Sequence, residues 1–85
     1  MLFKEAISKR IIELCKQYNY STNGIAEKSA IPSKTLYDIV NCKSKKHSTS
    51  TYIIFLLCKG FGISLKEFYD SPLFENIIEP EIWLI

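Results

Sequence analysis

Between positions 33 and 46 the chain gathers small polar and basic side chains that suit one kind of chemistry. Ser33, Lys34, Tyr37 and Asp38 fall at i, i+1, i+4 and i+5, so a helix would carry them on one face. A lysine in such a place can donate to guanine O6 and N7, and an aspartate can accept from cytosine N4. Serine can serve either base edge, and tyrosine offers a ring to a thymine methyl or a hydroxyl to a phosphate. The plainer reading is that Lys34 and Asp38 form an exposed i, i+4 ion pair, with a contribution of about 0.2–0.5 kcal/mol. Asn41, Lys43, Lys45 and Lys46 follow at once. Lysines there suit the neutralisation of phosphates, although an ordinary solvated loop has the same composition.

The net charge of +2 over 85 residues says little until it is divided along the chain. From Lys28 to His47 the charged side chains are Lys28, Lys34, Asp38, Lys43, Lys45 and Lys46, almost all basic. After position 66 they are Glu67, Asp70, Glu75, Glu79 and Glu81, all acidic. A polyanion is therefore welcome only in the middle of the chain.

Other chemistries find less support. The single histidine, His47, has no partner for acid–base work, and neither a nucleophile–base pair nor a phosphate-binding glycine loop is present, so no enzyme is expected. Cys15, Cys42 and Cys58 lack the spacing of a zinc site, and no metal or cofactor is expected. Cys15 and Cys58 fall in apolar helical patterns, which reads as burial. The longest apolar run, residues 52–58, is far short of the ~20 residues that cross a bilayer, and the amino-terminal stretch is charged and amphipathic. The expectation is a cytoplasmic protein.

Five helices are predicted to position the polar set. Phe3, Ile7, Ile11, Leu14, Cys15 and Tyr18 are spaced as one face of a first helix, with Lys4, Lys9, Arg10, Glu13 and Lys16 opposite and Asn19 at its end. Ser21 caps a short second helix over about 22–29 that buries Ile25 and Ala26. Pro32 suits the first turn of a third helix, with Ser33 able to cap it and Ile31, Leu36, Ile39 and Val40 facing inward. A fourth helix over 52–61 is apolar almost all round. A fifth begins at Leu65 behind Ser64, burying Leu65 and Phe68, and Ser71–Pro72 opens a further turn through Ile78.

The run Ile11, Leu14, Ser21, Ile25–Ala26, Ile31, Leu36, Ile39, Asn41, Lys43, then Leu57–Cys58, Phe61–Gly62–Ile63–Ser64–Leu65 and Glu67–Phe68, resembles the XRE-type helix-turn-helix family, the phage repressor and Cro class. The resemblance covers about residues 7–69. It implies an all-α, compact five-helix domain over residues 1–70, lambda-repressor-like, with residues 71–85 as a short apolar extension. It further implies a homodimer on double-stranded DNA at a palindromic site. Carried onto this chain, it places Ser33, Lys34, Tyr37 and Asp38 against base edges, and Thr22, Asn23, Asn41, Lys43, Lys45 and Lys46 near phosphates. The chain departs from the family at two turns. Ala30 and Cys42 occupy positions where glycine is usual, and a left-handed backbone there costs a β-carbon about 1–2 kcal/mol.

The fourth helix has more apolar residues than one face can bury. Ile54, Leu57, Cys58 and Phe61 share the core face, which leaves Tyr52, Ile53, Phe55 and Leu56 for an interface. The apolar tail with Ile77, Ile78, Ile82, Trp83, Leu84 and Ile85 is a candidate to cover them, internally or across a dimer. The competing function is a protein-interaction module, such as an antitoxin-like subunit, that uses the same helix and tail.

Overall fold

The structure is a computed structural model and describes residues 1–43 and 50–78. Among the described residues it is all-α, without a strand. Its helices are α1 (Phe3–Tyr18), α2 (Thr22–Lys28), α3 (Ser33–Val40), α4 (Thr51–Phe61) and α5 (Leu65–Tyr69), followed by a 3₁₀ turn at Pro72–Phe74. One apolar core joins them. Ile7, Ile11 and Leu14 of α1 meet Ile25 and Ala26 of α2, Leu36 and Ile39 of α3, Ile54, Leu57, Cys58 and Phe61 of α4, and Phe68 of α5.

Capping hydroxyls start three of the helices, at Ser21 and Ser64 as the sequence predicts and at Ser50, which the sequence reading leaves in the loop. Ser21 accepts from the Gly24 N–H at 2.9 Å, Ser50 from Ile53 at 3.2 Å and Ser64 from Glu67 at 3.1 Å. The exits share one backbone solution. Asn19 (φ 61°), Ala30 (φ 58°), Cys42 (φ 56°) and Gly62 (φ 77°) end α1 to α4 in the left-handed region. At each, the next residue's N–H returns to a carbonyl five residues back: Tyr20 to Cys15, Ile31 to Ala26, Lys43 to Asp38, Ile63 to Cys58. Only the fourth stop is glycine, the residue without a β-carbon penalty in that region. Ala30 and Cys42 therefore hold the conformation against a steric cost.

Four sequence expectations need correction. Arg10, assigned to the solvent face of α1, is buried. Its guanidinium donates to the carbonyls of Phe68 (2.6 Å) and Glu67 (2.6 Å) and pairs with Glu13. Those carbonyls lie in the last turn of α5, where a cation meets the negative end of the helix. A long side chain with an apolar stem can serve the core from a position that periodicity marks as polar. Leu65, expected inside, is 40% exposed, because α5 is too short to bury more than Phe68. Ser33 does not cap α3: Pro32 occupies that position and Ser33 is the first helical residue. After Ser71 the chain makes three residues of 3₁₀ helix and not a helical turn through Ile78. It lies against α1 and α5, with Phe74 near Phe3 (6.3 Å between ring centroids) and Tyr69 (5.1 Å), and the Ile78 N–H on the Met1 carbonyl (2.8 Å). The described part of the tail therefore covers α1, not α4. Residues 79–85, Trp83 included, lie outside the described residues.

Burial raises the Cys15 and Cys58 thiols above their ordinary pKa, with the Glu67 carboxylate adding to the effect at Cys58. Both are core residues. Their role is packing.

The α2–α4 contact is close at Gly60. A β-carbon on Gly60 would lie 2.0 Å from Ser29 Oγ, 3.2 Å from Ser29 Cβ and 3.3 Å from Ile25 Cδ1. Ser29 Oγ is buried without a hydrogen-bond partner, so it contributes size and an unmet polar group. Gly60→Ala should therefore lower unfolding stability by about 1–3 kcal/mol, although alanine is the better helix former by ~1 kcal/mol. Ser29→Ala should be neutral or stabilising, and should recover much of the loss when combined with Gly60→Ala. Urea titrations of the three variants check this. A Gly60→Ala protein as stable as the wild type would mean that the crossing is looser than described.

Candidate nucleic-acid interface

The interface is built on a turn of four residues. Ser29 ends α2, Ala30 swings the chain left-handed, Ile31 drops into the core and Pro32 stands at the cap position before α3. The turn is closed by Ala30 N–H to Glu27 (3.2 Å) and Ile31 N–H to Ala26 (2.9 Å). Leu36 and Ile39 then bind α3 to the core by its inner face. From α1, the Ser8 hydroxyl donates to the Val40 carbonyl, which holds the far end of α3. The inner face and the carboxyl end of the helix are thus held by the fold.

Its outer face is polar and open. Ser33, Lys34 and Tyr37 are exposed and Asp38 is half-buried. Lys34 reaches into solvent, its side chain 88% exposed, and meets Asp38 only at 3.9 Å. A pair at that length and exposure restrains Lys34 little, so the ammonium is available for another acceptor. No side chain caps the amino end of α3. Pro32 carries no N–H, and the first backbone N–H bonded within the helix is that of Leu36, on the Pro32 carbonyl at 3.2 Å. The helix thus presents backbone donors and the positive end of its dipole beside Lys34.

At the other end, the Asn41 side-chain amide donates to the Tyr37 carbonyl at 2.9 Å. Its first duty is closing α3, a role that sequence spacing alone does not reveal. Lys43 lies over Tyr37, with Nζ 3.4 Å from the hydroxyl and 5.1 Å from the ring centroid. Thr22, the first residue of α2, is half-buried, and Asn23 beside it is exposed. The structure therefore keeps Ser33, Lys34, Tyr37, Asp38, Asn41 and Lys43 on one helix and its exit, with Thr22 and Asn23 on the preceding helix. Lys45 and Lys46 lie outside the described residues.

A second surface lies on α4. Tyr52 is 66% exposed and Phe55 is also exposed, their rings stacked at 6.4 Å between centroids. Ile53 and Leu56 are half-buried against the core, so the surplus apolar set is narrower than the sequence suggests. A hollow of about 290 Å³ opens beside it, lined by Lys28, Ser29, Ala30, Leu56, Lys59 and Gly60. Lys28 rests on Tyr20, with Nζ 2.6 Å from its hydroxyl, and Lys59 rests over the Phe55 ring at 5.7 Å. This surface is apolar at its centre and basic at its rim.

Among the described residues no cluster of three or more His, Cys, Asp or Glu side chains could hold a metal ion, and no helix is long and apolar enough to cross a membrane. No protein-family model, curated protein or solved structure matches the chain.

Proposed function

We propose that this protein is a sequence-specific DNA-binding transcriptional regulator of the XRE helix-turn-helix type. In this reading it is a cytoplasmic repressor that lays α3 in the major groove. The observation that carries it is the state of α3: its inner face and far end are held by the core and Ser8, while its outer face and amino end are left open. A helix held in this way loses little freedom on docking. Lys34 is placed to donate to guanine and Asp38 to accept from cytosine, with Ser33 at the helix start. Thr22, Asn23, Asn41 and Lys43 make up the proposed phosphate set, to which the sequence alone adds Lys45 and Lys46; such contacts fix register without reading sequence. The chain acts as a binding protein rather than an enzyme.

A second reading is favoured by the exposed rings of Tyr52 and Phe55. Aromatic side chains supply large contact area at low entropic cost and are enriched at interfaces. We assign this surface to a homodimer, which would match two half-sites of a palindromic operator about one duplex turn apart. The alternative is that it receives another protein, as an antitoxin-like subunit would.

Retention on non-specific duplex DNA across a salt series tests the first reading. Affinity should fall with salt, with a slope near −0.9 per phosphate contact, and Lys34→Ala should cost about 1–3 kcal/mol at a selected site. Absence of binding at low salt would refute DNA binding and favour the partner reading. For the second surface, sedimentation of the wild type should show a dimer, and Tyr52→Glu with Phe55→Glu should give a folded monomer. A wild type that is monomeric at all accessible concentrations would remove the dimer.

A further inference from the structure

We infer that Tyr37 and Lys43 form one preset grip for a DNA phosphate, in which Tyr37 positions the lysine instead of reading a base. This rests on the DNA-binding reading and changes the role of Tyr37 within it. The Lys43 ammonium sits over the ring at 5.1 Å from its centroid, where the ring quadrupole attracts a cation. At 3.4 Å from the hydroxyl it donates to the Tyr37 oxygen, which leaves the phenol proton free to donate elsewhere. A phosphate arriving at this point would meet an ammonium and an O–H side by side. A ring whose face carries a lysine is not free to receive a thymine methyl.

The backbone produces the pairing. The chain leaves α3 through left-handed Cys42, and three consecutive residues return to the last turn of the helix. Asn41 Nδ2 donates to the Tyr37 carbonyl (2.9 Å), the Cys42 N–H to Ile39 (3.2 Å) and the Lys43 N–H to Asp38 (2.8 Å). These bonds bring residue 43 back over residue 37, and an extended exit would carry it away. The strained backbone at Cys42 thereby acquires a purpose. Lys34 shows the opposite arrangement: it is nearly free, as a side chain that must search base edges should be. A lysine already parked on a ring gives up less rotamer freedom when it takes a phosphate.

The test compares wild type, Tyr37→Phe, Tyr37→Ala, Lys43→Ala and the Tyr37→Ala/Lys43→Ala double variant. Each is titrated with non-specific duplex DNA over a salt series, and with a site selected from a random library and its single-base-pair variants. Lys43→Ala should flatten the salt slope by about one. Tyr37→Ala should weaken binding roughly three- to tenfold, the span expected for ordering one long side chain, and leave the ranking of site variants unchanged. Tyr37→Phe, which keeps the ring, should lose less. In the double variant the two losses should not add. Additive losses, or a changed preference at one base pair in Tyr37→Ala, would overturn the grip while DNA binding stands. A wild type that binds no DNA at low salt would overturn both together.

Discussion

The arrangement depends on the left-handed backbone at Ala30. Residues 29–32 must reverse the chain, bury Ile31 and aim α3 outward, and no right-handed continuation of α2 does all three. The conformation costs an alanine about 1–2 kcal/mol relative to glycine. It is held by the hydrogen bonds of Ala30 and Ile31 to α2 and by the burial of Ile31 in the core that also holds Leu36 and Ile39. Burying such a side chain stabilises by about 1.5–3 kcal/mol, enough to offset the strain. The direction of α3, and with it every contact its outer face can make, follows from this turn.

The other helices keep that turn in place. The α2–α4 crossing at Ser29 and Gly60 presses against the residue just before Ala30, so α4 acts on the turn directly. Ser8 reaches from α1 to the carboxyl end of α3, and Arg10, two residues on, reaches to the carboxyl end of α5. Two buried polar side chains of α1, two residues apart, thus bond to carbonyls at the ends of two other helices. A domain of this size has a small core, and such tethers supply positional precision that apolar contact alone does not.

Much of this was legible in the chain, for physical reasons that differ from residue to residue. The order and bounds of the helices followed from spacing and from serine caps, because both signals are local. The core face of α4 was legible for the same reason. Arg10 was not, since a periodic pattern cannot tell a solvated arginine from one that serves a distant carbonyl. Leu65 failed because an apolar residue at the start of a five-residue helix has too little neighbouring surface to cover it. The polar face of α3 was visible in the sequence, whereas the parking of Lys43 on Tyr37 depends on the dihedral angle of Cys42. Ala30 and Cys42 were recognised as costly only on the premise of a left-handed turn, which both residues adopt.

Two surfaces of different character remain, a polar face with lysines on α3 and an aromatic one on α4, and the central claim is that the first meets DNA. Amide shifts of the labelled protein, followed during titration with a duplex at low salt, address it residue by residue. The account predicts that the largest changes fall at Thr22, Asn23, the amino-terminal half of α3, and Asn41 and Lys43, with α4 unaffected. Changes confined to Tyr52, Phe55 and the hollow beside them, or none anywhere, would contradict it.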